Sequence, residues 1–278
     1  AKGRYVMFLD SDEVLENKNS LKTRAEIFAA HPATKMIIGS GYKNPPHYPF
    51  FNKYTNEYGD PFSFFIYRLS KDANLFITEM RTRYPIKQET DSYVIFDLSE
   101  TSHLPLIELT AGSCMLDAKF LKNKFPQIQE RVELLNHSFY LIHSQFPSLT
   151  ITKSDAVIHY SSNTLSRYLN KISWRVKNNV YYISTIGQTV FSGREKFQSG
   201  NMLSLKKYLF IPYSYSIIFP LIDSIYLSLT REDKGYLLHL PLCIYTASLI
   251  IYHSFLKAVG VRPQLRSYGE NKLIKHEK

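Results

Sequence analysis

Two carboxylates spaced i, i+2, Asp10 and Asp12, stand directly after the short apolar run Tyr5-Val-Met-Phe-Leu9. Such a run reads as a buried strand, and an acidic side chain buried without a partner is costly, so the pair belongs at the strand's end, facing a cation. Hard oxygen ligands of this kind suit Mg2+ or Mn2+, which take few protein carboxylates and fill their other positions with water and substrate phosphates. The chemistry indicated is work on a nucleotide or phosphate substrate. The plainer alternative is a solvated acidic turn after a strand.

The elements that must position this pair alternate in type. Residues 20–30 read as a helix capped by Asn19 and ended by His31-Pro32, and residues 35–39 read as a strand. Strand-like runs recur at 64–69, 93–98 and 106–110. The last leads into Ala111-Gly112-Ser113 and a helix over 117–124, and 149–153 and 156–160 close the series. This alternation predicts an α/β layer. Residues 42–62, rich in Pro, Tyr, Phe and Asn, predict an irregular segment that exposes aromatics.

Charge divides the chain. Lys plus Arg and Asp plus Glu number 18 each over residues 1–160, 8 against 1 over 161–210, and 8 against 5 over 211–278. The neutral first part argues against nucleic acid as a partner, and the basic remainder favours a membrane surface. Residues 163–182 place Arg167, Lys171, Arg175 and Lys177 at helical spacing around Tyr168 and the only Trp, Trp174, as an interfacial amphipathic helix does.

Residues 235–256 carry no formal charge, and residues 208–230 carry only Asp223. Each is long enough as a helix to cross a hydrocarbon core of ~30 Å. Joined by Thr230-Arg-Glu-Asp-Lys-Gly235, they predict a transmembrane hairpin, with Pro212 and Pro220 kinking its first arm or making it partly re-entrant. Lys206 and Lys207 before the hairpin, and Lys257, Arg262 and Arg266 after it, put both outer ends and the catalytic domain in the cytoplasm, with the turn outside. The two cysteines, Cys114 and Cys243, imply no disulfide framework.

The stretch Ala1-Lys-Gly3-Arg-Tyr5 leading into Val-Met-Phe-Leu-Asp10-Ser-Asp12 resembles the Asp-X-Asp segment of family 2 glycosyltransferases. That resemblance implies a partial, Rossmann-like GT-A domain over residues 1–160, a basic interfacial segment over 161–205, and a membrane hairpin with a cytoplasmic tail over 206–278. It implies that Asp10 and Asp12 hold a divalent cation against the diphosphate of a nucleotide-sugar, that His159 completes the metal site, and that Gly112 and Ser113 line the donor-sugar pocket. The acceptor would be a lipid-linked or envelope glycan. Gln127-Ile-Gln-Glu130-Arg131-Val-Glu133 resembles the family's Glu-Asp helix start, whose Asp is the general base. Arg131 stands where that base is expected, so Glu133, one turn on, becomes the candidate catalytic carboxylate beside Glu130. The nucleotide-recognition strands that precede the Asp-X-Asp strand in the family are missing from the resemblance.

Two other readings stay open. Asp10-Ser-Asp12-Glu-Val14 also matches the nucleophile motif of haloacid-dehalogenase-like phosphatases, without the later acidic pair those enzymes need. Arg131 and the absent nucleotide half also fit a non-catalytic, membrane-anchored binding protein.

Overall fold

The computed structural model describes residues 3–107, 113–128, 130, 135, 137–181, 202–261 and 263. The chain is a mixed α/β protein. Nine strands form two sheets among the described residues: β1 (Tyr5–Met7), β2 (Glu13–Leu15), β3 (Met36–Ile38), β4 (Tyr42–Lys43), β5 (Ile86–Glu89), β6 (Tyr93–Asp97), β7 (Met115–Asp117), β8 (Ser148–Thr152) and β9 (Val157–His159). The larger sheet has the order β1-β7-β3-β8-β6-β5, with β3 and β8 parallel and its other pairs antiparallel. The smaller sheet has the order β2-β9-β4.

The chain passes from the large sheet to the small one three times, at β1→β2, β3→β4 and β8→β9. These passages form a seam, and a buried ion pair holds it. Helix α1 (Ser20–Ala30) carries Arg24, whose guanidinium is fully buried. Its Nε and Nη2 donate to Asp155 Oδ2 at 2.9 and 2.7 Å, Nη2 donates to Ser113 Oγ at 2.6 Å, and Nη1 donates to the Ser113 carbonyl. Asp155 also accepts from Thr152 Oγ1 and exchanges bonds with Ser40, so it ties β8 and the β3→β4 passage to α1, while Arg24 itself adds Ser113, two residues before β7. Gly41 lies on the same seam at φ +115°, where an added Cβ would stand 2.5 Å from the Lys71 carbonyl.

The helix over 20–30, the strands at 93–98, 149–153 and 156–160, and the helix near 117–124 form within a residue or two of their expected bounds, the last as α5 (Ala118–Lys124) capped by Asp117. Asn19 occupies the N-cap position of α1 but makes no side-chain capping bond. Two expectations are corrected. Residues 42–62 are largely helical, forming α2 (Phe50–Tyr58) and the start of α3 (Pro61–Tyr67). The aromatic run at 64–69, read as a strand, lies mostly in α3, because Asp60 caps it through Ser63 N–H at 2.7 Å and Pro61 presets its first turn. Of the run at 106–110, only 106 and 107 are described, and neither lies in a strand.

Two further helices pack on the α/β layer, α4 (Phe76–Arg81) and α6 (Ser138–His143), followed by the amphipathic α7 (Leu165–Tyr181). The last part of the described chain comprises α8 (Met202–Tyr215), α9 (Ile218–Thr230) and α10 (His239–Ala258). The stretch Lys234–Ala258 is long and apolar enough to cross a membrane. The expected first arm of the hairpin is instead a bent pair, Leu205–Tyr215 and Ile218–Thr230, at 88°. The break falls on Ser216 and Ile217 rather than on either proline, with Ile217 at φ 62°.

These helices are not a separate layer. Phe210, Tyr213, Cys243 and Ala247 belong to the same apolar core as the sheet residues Ile38, Phe96 and Ile151. The connecting turn is tied to the α/β layer as well. Arg231 Nε donates to Glu57 Oε1 at 2.8 Å, Arg231 Nη2 donates to Glu79 Oε1 at 2.9 Å, and Lys53 Nζ pairs with Asp233 Oδ2 at 3.0 Å.

Removing one partner of a buried pair leaves an uncompensated charge, so Asp155→Ala should lose about 3–5 kcal/mol of stability. The double variant Arg24→Met, Asp155→Leu should lose less. Chemical denaturation followed by circular dichroism checks both, and a loss below 1 kcal/mol for Asp155→Ala, on the order of an exposed pair, would refute the seam's role.

Candidate metal and substrate site at the sheet seam

Asp10 and Asp12 straddle the passage from the large sheet to the small one. Asp10 follows β1, and Glu13 N–H donates to the Asp10 carbonyl at 3.1 Å, closing a turn that starts β2. In the small sheet β2 lies antiparallel to β9 with Glu13 opposite His159. This register brings Asp12 Oδ2 to 3.5 Å from His159 Nε2, and Tyr160 N–H donates to the Asp12 carbonyl at 2.8 Å. The two residues, 147 positions apart, meet where β2 begins and β9 ends in the small sheet, rather than at the end of β1 in the large one.

His159 is held from its other side by α2. Asn56 and Asn52 lie one turn apart on one face of that helix. Asn52 Nδ2 donates to the His159 carbonyl at 2.8 Å, while Asn52 Oδ1 accepts from the backbone N–H groups of Ser161 and Ser162. The Asn56 amide nitrogen also points to the His159 carbonyl, at 3.3 Å, which leaves Asn56 Oδ1 to accept from His159 Nδ1–H at 2.7 Å. With Nδ1 protonated, the neutral ring presents the lone pair of Nε2 toward Asp12.

Burial pushes His159 below the ordinary imidazole range, which favours the neutral ring. A hydrogen bond from a proton-bearing His159, with the charge of Lys171 against partial burial, holds Asp12 below the usual carboxylate range. In the tautomer set by Asn56 that bond is absent, and a shared cation would take the proton's place. A carboxylate and an imidazole lone pair therefore face one another 3.5 Å apart, too far for a good direct hydrogen bond but suited to two donors sharing one cation at ~2.1 Å from each. Among the described residues no group of three or more His, Cys, Asp or Glu side chains is placed to hold a metal ion. Asp10, which is exposed, does not complete such a set, although its charge acts on His159 and on Glu13. Mg2+ or Mn2+ needs only one or two protein carboxylates or a comparable donor when phosphates and water supply the rest, so the pair fits such an ion.

Glu13 is a site group that the sequence does not announce. Its carboxylate is buried, accepts Tyr42 O–H at 3.0 Å and Asp10 N–H at 3.1 Å, and is pushed up by that burial to about 7. No local pattern signals it, since β2 buries the polar Glu13 and exposes the apolar Val14, the reverse of what hydropathy predicts. Lys171 of α7 approaches the same place and donates to Ser161 Oγ at 2.5 Å.

The other expected site residues are placed differently. Ser113 is fully buried at φ 55°, with its hydroxyl and carbonyl engaged by Arg24. Glu130 is exposed beyond the short 3-10 turn Pro126–Ile128. Gly112 and Glu133 lie outside the described residues.

The proton affinity of Glu13 has a direct consequence. Its folded pKa lies above the unfolded value, so the folded chain binds the extra proton between pH 4.5 and about 7, and stability falls as pH rises through that window. Glu13→Gln should remove this slope, shifting the stability difference by on the order of 2 kcal/mol in the variant's favour between the two pH values. Denaturation midpoints measured across that range would show it, and parallel pH profiles for parent and variant would refute it. No protein-family model matches the chain, and no curated protein matches it.

Proposed function

We propose that the chain is a metal-dependent glycosyltransferase, with Asp12 and His159 at the centre of its site, attached to a membrane through its C-terminal helices. The observation that carries the reading is the facing pair of Asp12 carboxylate and neutral His159 Nε2, fixed by Asn56 at the end of a strand. The donor is a nucleotide-sugar and the acceptor a hydroxyl of a lipid-linked or envelope glycan. The GT-A relationship rests on the Asp-X-Asp segment, and on its position at the edge of a mixed α/β sheet.

In this reading Asp12 and His159 hold Mg2+ or Mn2+, with Asp10 on the water or diphosphate side. The bound ion would offset negative charge on the departing nucleoside diphosphate. Asn56 keeps His159 in the tautomer that leaves Nε2 a donor, a second layer of support of the kind that metal sites depend on. Lys171 adds a positive charge beside Asp12 for the diphosphate. Tyr160, 38% exposed next to the site and packed edge-on against Tyr48, offers an apolar face to a sugar ring. Glu133 takes the proton of the acceptor hydroxyl as its oxygen bonds to the anomeric carbon.

The phosphatase alternative asks Asp10 to stand at the end of an interior parallel strand. Here β1 is an edge strand antiparallel to β7, and no observation favours that reading.

Mn2+ binding followed by electron paramagnetic resonance is the direct test. Asp12→Asn and His159→Ala should abolish retention of the ion, and Asn56→Leu should weaken it about 10–100-fold, since a residue orienting a ligand has an effect of that size. Unchanged Mn2+ affinity in all three would end the metal-site proposal. Glu133→Gln should lower sugar transfer ~10²-fold or more with Mn2+ binding intact. Absence of transfer by the parent across a panel of nucleotide-sugars and acceptors would favour a binding protein without catalysis.

A further inference from the structure

The bent pair α8–α9 has two unlike sides. Its inner side is filled by α3 and α10: Phe62 and Phe65 pack on Phe210, Lys206 Nζ donates to the Ile66 carbonyl at 2.7 Å, Arg68 clamps Asp223 bidentately at 2.9 and 2.7 Å, and Tyr215 and Ser248 share a hydrogen bond at 2.7 Å between α8 and α10. Its convex side is bare. Tyr208 and Leu209 on α8, Ile217, Ile218 and Phe219 at the bend, and Ile222 on α9 are each more than half exposed. From residue 208 to 230 the only charge is Asp223, which is turned inward and neutralised. A continuous apolar surface of this kind is not left to water.

Both ends of the bent pair are fixed to the α/β layer, α8 through Lys206 on Ile66 and α9 through the following Arg231 on Glu57 and Glu79. The chain therefore enters and leaves on the same side. Arms of 11 and 13 residues at 1.5 Å per residue are about 16–20 Å long, and a symmetric 88° bend puts the tip about 12–14 Å beyond the rim, close to half of a ~30 Å hydrocarbon core. One end of the rim is cationic, with Lys206 and Lys207, which suits anionic headgroups, while at the other Glu232 and Asp233 offset Arg231 and Lys234.

Helix α10 has a companion that argues against a crossing. It packs along α7, with Tyr181 O–H donating to the His253 carbonyl at 3.1 Å, Lys257 Nζ donating to the Val180 carbonyl at 2.5 Å, and Leu242 in one apolar cluster with Tyr168, Ile172 and Val176. A transmembrane α10 would draw α7 into the bilayer with Arg167, Lys171, Arg175 and Lys177, charges that are costly to place in hydrocarbon.

We infer that the protein is monotopic: the α8–α9 bend dips into one leaflet of an anionic bilayer, its convex side in the acyl chains, while α10 lies along the surface and residues 231–235 stay on the side of the α/β layer. This rests on the membrane attachment proposed above. The test uses the whole chain added to preformed phosphatidylcholine vesicles with and without phosphatidylglycerol. Flotation should be strong with phosphatidylglycerol and reduced without it. Tryptophan fluorescence of Ile218→Trp, in a Trp174→Phe background, should be quenched by lipids brominated deep in the acyl chain. A membrane-impermeant maleimide added outside should label Glu232→Cys as fully as Lys22→Cys, an exposed position on α1. Protection of Glu232→Cys alone, with flotation intact, would overturn the monotopic topology and leave membrane attachment standing. Failure to float, with self-association in solution, would overturn both and assign the apolar surface to a second copy of the chain.

Discussion

The carboxylate of Glu57, 1% exposed on α2, is the constraint around which the halves of the molecule are arranged. A buried charge of this kind is tolerable only when each oxygen is satisfied. Ser70 Oγ and Arg231 Nε both donate to Oε1 at 2.8 Å, and Tyr236 O–H donates to Oε2. Arg231 goes on to Tyr58 and Glu79, and Glu79 accepts Ser70 N–H. The donors come from the loop after α3 and from the turn between α9 and α10, so the carboxylate is satisfied only when the C-terminal helices are seated. Around it Phe50 meets Tyr54 and Tyr236 edge to face, and Tyr58 meets Phe64 in the same way, filling the joint with apolar area.

Helix α2 therefore has two duties on two faces. Asn52 and Asn56 hold the end of β9 and the His159 ring, while Phe50, Lys53, Tyr54 and Glu57 hold the C-terminal helices. Tyr54 O–H meets His239 Nδ1 at 2.5 Å on α10, within four residues of the asparagine that sets the tautomer of His159. The proposed chemistry and the proposed membrane contact thus share a nine-residue helix. A rigid element of that size transmits position directly, which suits an enzyme whose acceptor lies at a lipid surface.

Much of this architecture is legible in the sequence, and the parts that are not share a cause. The helix over 20–30 follows from its flanking signals, Asn19 before it and His31-Pro32 after it, and the strands at 93–97, 148–152 and 157–159 follow from short apolar runs, the first two buried on both faces. The meeting of Asp12 with His159 is expected from the resemblance to the Asp-X-Asp family, not from any local pattern. Residues 64–69 mislead because Phe, Ile and Tyr favour strands, while the cap that makes them helical, Asp60-Pro61, lies just upstream. Glu13, Asn52 and Asn56 look like ordinary surface residues: their partners Tyr42, Ser161 and His159 lie 29 to 109 positions away, where no local pattern reaches. The break at Ser216 and Ile217 escapes notice for a related reason, as two nearby prolines offer a more obvious kink than the residues that make it.

Arg24 and Asp155 also set a clock for the nascent chain. The guanidinium that the folded seam buries completely has its counter-charge 131 residues downstream. At about 5–20 residues per second, the ribosome needs on the order of 7–26 s between making the two. During that interval the first helix cannot settle against its sheet without stranding a positive charge, so early burial is disfavoured and Ile27 and Phe28 beside it stay accessible. The α/β layer accordingly has to close late, as a unit, once the β8→β9 passage has left the exit tunnel.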